Sequence, residues 1–499
     1  MSRPNVQQYI LLPPRGIVPT GVTKDALTTF FTGLESIRTA GTGSRAIAGG
    51  ARQSALRVVD SIRENGAKLV EMTPEALTTL RAAQPGVRIV PVVYYRTARA
   101  PRAQVESKVK VAANGLKIGV QVVSSVDGRA IEGLDVVAFT DFAGRQGAQG
   151  TTNKKGLVQL ALGGATKKIE RLYVQTHHTY WSALLTNLTL KSGMKIAVDP
   201  IQFPFEDCVR HFYGEPDLNA GHGVTVGVID TGVGPHKHLP GVTGCNTVEG
   251  ESEGDFADNG DLHGTHVAGI IASRGGANDG VRGIAPGVTI KSYRVFGKGA
   301  DGASNFAIAK AIDRAVQDGC DLINMSLGGG PRDEATHSAI SDARAAGVLV
   351  FAANGNDNRS KVSFPAADSV ALAVSALGRK GTFPVGSSEF GDIAAPGGTD
   401  KHDFIASFSN VGPETDFCGP GVGVISTVPN DRWAVMDGTS MACPATTGAA
   451  ARVLAANPGV LAMPRDAARS DAMAKAIFQA AKSRGFPSIL QGQGLIRIV

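Results

Sequence analysis

The octapeptide at 437–444, DGTSMACP, constrains the fold of this chain more than any other stretch, because it joins a glycine turn to a long run of small residues. Ser440 follows Gly438 and begins an Ala-rich segment that we expect to be a helix. The N-terminus of a helix offers unpaired N–H groups and a positive partial charge, so a serine there lies beside donors for a developing oxyanion. A capped core helix would show the same residues, and the octapeptide alone therefore does not decide for a nucleophile.

Three upstream residues supply what a nucleophilic serine needs, which is a base, a carboxylate that orients the base, and a donor to the oxyanion. Asp230 ends an apolar run before a glycine turn, and His263 begins a second apolar segment, HGTHVAGII. Asn356 follows a buried-type strand and can donate a hydrogen bond to an oxyanion. The set predicts acyl transfer with Ser440 as nucleophile, His263 as base, Asp230 as its partner and Asn356 in the oxyanion hole.

The blocks VIDTG, HGTHVAG, AANGN and GTSMACP, in this order, resemble those of the subtilisin-like serine proteases, the subtilases or peptidase S8 family. The resemblance covers about residues 206–499 and includes INMSLGG, SFPA, SFSNVGP and GQGLIRI. It implies a serine endopeptidase of α/β fold, with a parallel sheet covered by helices on both faces. It also makes His263 the base, and His266 a structural residue on the same helix.

Family members bind their substrate as an added strand between two edges of the enzyme, so main-chain pairing supplies most of the affinity. We expect a broad apolar preference for the residue before the cleaved bond, and a basic preference set by Asp357 on the rim of that pocket is the alternative. By resemblance, the two edges are the substrate-binding residues Gly299, Ala300, Asp301 and Gly302, and Ser326, Leu327, Gly328 and Gly329.

No cofactor is needed for the predicted chemistry, but many subtilases bind calcium through a loop after the histidine helix. Asn278 and Asp279 offer oxygen ligands in that loop. A second family position falls near His238, which is a poor ligand for calcium. A plain polar loop is the alternative to a structural calcium site.

Three domains are expected from the chain length and from changes in the pattern of predicted helices and strands along the sequence. Residues 1–105 read as a small α+β domain that resembles an inhibitor I9-like propeptide, with an unrelated ferredoxin-like module as the alternative. Residues 106–200 carry short alternating strands about ten residues apart and predict an all-β sandwich, similar to transthyretin-like or carboxypeptidase-regulatory domains. Residues 201–499 form the subtilisin-like domain.

Finer expectations concern the first domain. Its basic, proline-bearing segment 94–102 corresponds to the propeptide tail that lies in the substrate groove of the family. Self-cleavage in 94–105 would leave the sandwich attached to the enzyme, whereas a cut near 200–210 would discard it. The local patterns predict an inserted loop at 39–50, helices at 52–64 and 74–83, and strands at 9–12, 67–72 and 87–95.

Composition bounds the partners. The net charge is +6, but lysine and arginine are scattered without a basic helix or aromatic platform, which argues against a nucleic-acid role. The expected partners are protein or peptide substrates and the N-terminal domain as an intramolecular inhibitor. No apolar run suits a membrane span or a signal peptide, so we expect a cytoplasmic enzyme or export without a cleavable signal. Five scattered cysteines suggest buried thiols, Cys443 included.

Two other functional classes remain open. One is a catalytically inactive subtilase that serves as a binding module, against which the complete triad argues. The other places the function in the first 200 residues, as an adhesion or regulatory region that the protease releases.

Overall fold

A computed structural model of the chain describes residues 6–15, 24–39, 44–47, 54–111, 115–164 and 166–498. Below, the N-terminal unit is 6–93, the connecting segment is 94–106, the middle unit is 107–198 and the C-terminal unit is 206–498.

The N-terminal unit is a five-stranded sheet with two helices on one face. The sheet order is β2-β3-β4-β1-β5. Apolar residues of both helices, such as Phe31 and Leu80, pack on Val70 of the central strand. Thr73 caps the second helix by accepting a hydrogen bond from the Ala76 N–H. The elements are β1 (Gln7–Leu12), α1 (Lys24–Thr39), β2 (Ser44–Ile47), β3 (Ser54–Ser61), β4 (Lys68–Met72), α2 (Pro74–Ala83) and β5 (Arg88–Pro91).

Two local expectations in this unit are wrong. The helix expected at 52–64 is strand β3, in which alternate residues Leu56 and Val58 are buried and the strand pairs with β4. Pairing with a neighbouring strand and the stiff Val-Val pair outweigh the helical spacing. The inserted loop expected at 39–50 contains strand β2, which pairs with β3; residues 40–43 and 48–50 lie outside the described residues.

The connecting segment begins with its own strand. The single strand expected at 87–95 ends at Pro91, and the chain becomes extended again as β6 (Tyr94–Thr97). This strand leaves the N-terminal sheet and joins a different one in the C-terminal unit.

The middle unit consists of two sheets that enclose one apolar core. The five-stranded sheet has the order β13-β12-β9-β10-β7, and the three-stranded sheet has the order β11-β8-β14. Val120 and Ile196 from the smaller sheet share the core with Ala138 and Leu172 from the larger one. The strands are β7 (Ser107–Lys108), β8 (Ile118–Ser124), β9 (Asp135–Asp141), β10 (Gln146–Thr151), β11 (Leu157–Leu160), β12 (Thr166–Gln175), β13 (Ala183–Lys191) and β14 (Met194–Val198).

An eight-stranded sheet organises the C-terminal unit, with the order β16-β17-β15-β19-β21-β22-β23 and β24 also paired to β22. All of its pairs are parallel except that between β22 and β23. The elements are α3 (Cys208–Tyr213), β15 (Thr225–Asp230), β16 (Thr243–Asn246), α4 (His263–Ala272), β17 (Thr289–Arg294), β18 (Ala303–Ser304), α5 (Asn305–Gln317), β19 (Leu322–Met325), β20 (Leu327–Gly328), α6 (Glu334–Ala345), β21 (Leu349–Ala353), β22 (Leu372–Arg379), a 3₁₀ turn (Ser388–Asp392), β23 (Asp403–Ile405), β24 (Thr415–Pro420), β25 (Val424–Val428), β26 (Arg432–Met436), α7 (Thr439–Ala455), α8 (Pro458–Leu461), α9 (Ala467–Ala480), β27 (Ala481–Lys482), α10 (Ser488–Gln491) and β28 (Leu495–Ile496).

Helices cover both faces of this sheet, as the family resemblance implied, and its strands are apolar on both sides. In β21, Phe351 packs into the core shared with α4 and α7, whereas its neighbour Val350 packs into the core shared with α5 and α6. The two cores clamp the sheet, and the carboxyl ends of β15 and β21 meet the first turns of α4 and α7. The expected α/β fold is therefore confirmed, and none of the helices in the described part of the chain is long and apolar enough to cross a bilayer.

Candidate active site

Asp230 and His263 form a buried hydrogen-bonded pair at the carboxyl edge of the sheet. Asp230 is the last residue of β15, and its Oδ1 lies 2.7 Å from His263 Nδ1 at the start of α4. Both side chains are fully buried. The same Oδ1 accepts the Thr231 N–H at 2.7 Å, so the carboxylate is fixed from two directions. This geometry holds the imidazole with Nδ1 toward the acid and leaves Nε2 free to accept a proton.

A close approach between two glycines sets the position of His263. Gly264 lies against the turn after β15, where an added Cβ would come within 2.3 Å of the Gly232 carbonyl oxygen. The Thr231 hydroxyl also accepts the Gly264 N–H at 2.9 Å. Only a glycine after the histidine lets α4 begin this close to the aspartate.

Ser440 is the second residue of α7, and it is fully buried. Its hydroxyl donates a 2.9 Å hydrogen bond to the Ser326 carbonyl, not to the imidazole. Among the described residues, His263 Nε2 is a buried nitrogen without a hydrogen-bond partner. The base is thus in place while the serine hydroxyl is turned toward the neighbouring strand end.

Asn356 follows β21 and faces the start of α7. Its Oδ1 accepts the Thr439 N–H at 2.9 Å, which orients the amide, and its Nδ2 then points at the carbonyl oxygen of Ala98. The Ser440 N–H donates to that same oxygen at 3.0 Å. Two donors therefore converge on one carbonyl, which is the arrangement that stabilises an oxyanion.

The connecting segment itself supplies this carbonyl, because it lies across the site as an extended strand. β6 pairs antiparallel with two short strands, Tyr95 opposite Ala303 and Thr97 opposite Leu327. Beyond β6, the Ala98 N–H donates to Ser326 O at 3.0 Å. The chain therefore threads between two edges and presents the bond after Ala98 to the serine.

Comparisons with known proteins agree with this geometry. Residues 221–495 match the model of the Subtilase family, Peptidase_S8. Subtilisin DY of Bacillus licheniformis is 37% identical over 243 residues, which span 48% of this chain and 79% of that protein. Subtilisin BL of Lederbergia lenta is 37% identical over 238 residues, spanning 48% of this chain and 78% of that protein. The chain belongs to the subtilase family. It is a serine endopeptidase.

Of the two edges predicted to bind substrate in this subtilase, the structure brings one directly to the segment. Leu327 and Gly328 pair with it, and Ser326 accepts a hydrogen bond from it. On the other edge, the paired residues are Ala303 and Ser304, immediately after the predicted stretch 299–302. Of that stretch, Gly302 lies against the segment, since an added Cβ would lie 3.3 Å from the Cβ of Tyr94.

Sequence reasoning missed how side chains of the connecting segment are held. Tyr95 is buried beside Phe364, with ring centroids 6.0 Å apart, and its hydroxyl donates to Asp333. Arg99, on the other side of the bond, pairs with Asp261. The only signal in the sequence was an extended, basic stretch with a proline, which does not show which residue meets the serine.

Two residues near the triad have the structural environments expected of them. His266 is fully buried and its Nε2 lies 3.1 Å from Ala434 O, and burial lowers its pKa to about 3. Cys443 is a fully buried free thiol whose pKa burial raises far above its ordinary value. A neutral imidazole and a neutral thiol suit core positions better than a second base or nucleophile.

The loop considered for calcium does not fit the ion. Asp279 Oδ2 lies 3.1 Å from His238 Nε2, and its Oδ1 accepts the Gly276 N–H at 3.2 Å. Asn278 is exposed. The His238 imidazole stands where an oxygen ligand is needed, and it forms a hydrogen bond with the Asp279 carboxylate. Calcium requires six to eight oxygen ligands. No step of the chemistry is therefore assigned to a metal at this loop.

The side chain of Asp357 is also occupied. Its carboxylate accepts a 2.8 Å hydrogen bond from Asn410 Nδ2, and its own N–H donates to Asn410 Oδ1 at 2.7 Å. The residue at the position before the bond is Ala98, which is small and apolar and is buried.

Proposed function

We propose that this subtilase is made as a zymogen that cuts its own chain between Ala98 and Arg99. One observation carries the proposal: the Ala98 carbonyl oxygen accepts hydrogen bonds from both Asn356 Nδ2 and the Ser440 N–H. A carbonyl held by two such donors beside a nucleophile is a substrate poised for attack.

The roles of the site residues follow from their contacts. Ser440 Oγ attacks the Ala98 carbonyl carbon, and His263 Nε2 takes the hydroxyl proton and returns it to the Arg99 amine as that amine leaves. Asp230 stabilises the imidazolium that forms between these steps. Because Ser440 Oγ donates to Ser326 O in the structure, the hydroxyl must first rotate about its Cα–Cβ bond toward the imidazole. Water then hydrolyses the acyl-enzyme.

The N-terminal unit acts in this scheme as an I9-like inhibitor domain. It docks on α5 and α6, where Ile10 and Leu69 share an apolar cluster with Phe306 and Ala335. Ion pairs surround this contact: Arg63 with Asp313, Arg88 with Glu334, Lys310 with Asp60 and Arg15 with Asp342. Tethering gives the segment 94–98 a high effective concentration that outcompetes free substrate.

Cleavage at this bond leaves the middle unit on the enzyme, as a transthyretin-like or carboxypeptidase-regulatory-like sandwich. The alternative cut near 200–210 is less well supported by the contacts. Asp207 and Cys208 there are buried at the start of α3, and the Asp207 carboxylate accepts the N–H groups of Arg210 and Ile425. The domain boundary that matters for processing therefore falls at 98, within the first predicted domain.

Once the N-terminal unit has left, protein substrates would occupy the same groove as an added strand. Tyr95 and Ala98 now occupy two positions of the groove. They indicate that a substrate carries an apolar or aromatic side chain at the fourth residue before the cut and a small apolar one directly before it. This favours the broad apolar preference over a basic one.

N-terminal sequencing of the purified protein tests the proposal. Wild-type enzyme should yield a chain that begins at Arg99, while Ser440→Ala should stay at the full 51.5 kDa. An active wild-type enzyme that remains one full-length chain would show that the N-terminal unit has another role.

A further inference from the structure

The connecting segment does not end at the cleaved bond, and its second half is held by the middle unit. Arg102 donates to Thr176 O at 2.7 Å, and Gln175 Nε2 donates to Ala103 O at 2.8 Å. The Val105 N–H donates to a side-chain oxygen of the same unit at 2.8 Å. These bonds lie on the far side of Arg99, so cutting the bond before Arg99 breaks none of them.

The middle unit is itself fixed to the C-terminal unit. Trp181 is buried in the core of the C-terminal unit, and its ring centroid lies 5.3 Å from that of Phe205, directly before that unit. Backbone hydrogen bonds join Thr179 N to Trp433 O at 2.8 Å and Ser388 N to Ser182 O at 2.9 Å. The anchor of the segment thus keeps its place when the N-terminal unit leaves.

The first residues after the cut lie in the half of the groove that receives the portion of a substrate beyond the cleaved bond. Arg99 pairs with Asp261, and the Ala100 N–H donates to Asp437 O at 2.9 Å. Beside them is a cavity of about 480 Å³ between the two units. Its walls include Phe142 and Tyr173 of the middle unit, together with Glu389, Asp392 and Asp437 of the C-terminal unit.

We propose that this half of the groove is a composite binding site of the middle and C-terminal units, and that its resident ligand after processing is the new N-terminus, Arg99–Ala103. The inference rests on the proposed cleavage after Ala98. Hydrolysis leaves a carboxylate on Ala98 and an α-ammonium group on Arg99. The Arg99 end remains as a tethered product that competes with any substrate extending past its cleaved bond.

Tethering makes the competition measurable. A short, stiffly anchored segment has an effective concentration of about 1 mM or more. If the free segment binds with a Kd of about 0.1–1 mM, it raises the apparent KM of extended substrates about two- to tenfold. A substrate that stops at the cleaved bond meets little of this competition.

The test compares two substrates that share four residues before the cut: a tetrapeptide methyl ester and an octapeptide with four further residues. The double variant Arg102→Ala and Gln175→Ala loosens the anchor on the middle unit. We expect its ratio of kcat/KM, octapeptide over ester, to rise two- to tenfold above wild type. Gln175→Ala alone should raise this ratio about twofold, and the single variant replaces the double variant if the double variant does not fold. Arg96→Ala is the control, because Arg96 leaves with the N-terminal unit.

Sequencing of the mature chain accompanies the kinetics. If the chain begins at Arg99 and neither variant changes the ratio, the tethered product is refuted while self-cleavage after Ala98 stands. A mature chain that begins beyond residue 105 overturns both the cleavage site and this inference.

Discussion

Replacing Asn356 by alanine should slow self-cleavage by about 10²–10³. The side chain supplies one of the two hydrogen bonds to the Ala98 carbonyl, and the Ser440 N–H supplies the other at 3.0 Å. Its amide is already oriented by the Thr439 N–H, so no reorganisation is needed when negative charge develops on the oxygen. The loss corresponds to about 3–4 kcal/mol of transition-state stabilisation.

Self-cleavage is a suitable reaction for this measurement because the substrate is part of the chain. The rate constant is first order, and substrate binding does not enter it. Protein refolded by dilution from guanidinium would be quenched with acid at intervals, and the full-length 51.5 kDa chain followed on a gel. A wild-type half-life of about one minute would become roughly two to seventeen hours in the variant.

Two further variants complete this experiment. Asn356→Asp keeps an acceptor for the Thr439 N–H but removes the donor and adds negative charge, so it should be at least as slow as Asn356→Ala. Asn219→Ala changes an exposed asparagine that precedes β15, at the end of that strand opposite Asp230, and should process like wild type. If Asn356→Ala processes within about threefold of wild type, the Ala98 carbonyl does not carry the developing charge at this position.

For peptide substrates, the same variant should lower kcat by a similar factor and leave KM nearly unchanged. A large rise in KM at unaltered kcat would show that Asn356 holds the substrate instead.

Three other predictions use the mature enzyme or the folded zymogen. Phenylmethylsulfonyl fluoride should abolish hydrolysis of unfolded casein by sulfonylating Ser440 with loss of fluoride, whereas a zinc-selective chelator should not; the reverse pattern would refute serine catalysis. Burial is the main cause, and the negative charge of nearby Asp437 the second, that raises the pKa of Glu389 from 4.5 to about 8. Because the folded state binds this proton more tightly than the unfolded state, the stability of the fold falls as pH rises from about 4.5 to 8. Glu389→Gln should therefore raise the melting temperature more at pH 9 than at pH 5, and an equal shift at both would contradict this. Ion pairs such as those of Arg63 and Lys310 surround the docked N-terminal unit, and salt screens charges at the rim of a contact. Inhibition by the isolated 1–98 fragment should therefore weaken severalfold between about 50 mM and 500 mM salt; a salt-independent inhibition constant would assign the docking to apolar contact alone.

The catalytic geometry could be predicted from the sequence because each residue stands at the end of a recognisable element. An apolar strand followed by Asp230, and small-residue helices that begin at His263 and next to Ser440, fix where these side chains must lie in a parallel sheet. Helix α2 could be predicted equally well, since Thr73 and Pro74 mark its start. Local signals and the fold point in the same direction at these places.

Strand β3 and the position of Ala98 could not be predicted from the sequence in this way. Leu56, Val59 and Ile62 have helical spacing, whereas Leu56 and Val58 alternate as in a strand, and only pairing with β4 decides between them. Ala98 meets the serine because β6 is clamped by Ala303 on one side and by Leu327 on the other. These contacts join residues more than 200 positions apart, and no property of the segment itself encodes which of its carbonyls will reach the oxyanion donors.

The middle unit gave no functional signal in the sequence for a similar reason. Its own residues carry no catalytic pattern, and its effect on the site comes from where it is attached. Trp181 fixes it to the C-terminal unit, and Arg102 and Gln175 fix the connecting segment to it. A domain inserted between an inhibitor and its protease would by itself only lengthen the tether. In the proposed scheme, a middle unit held at both ends instead keeps the residues after the cut inside the groove, so removal of the inhibitor and clearance of the groove become separate events.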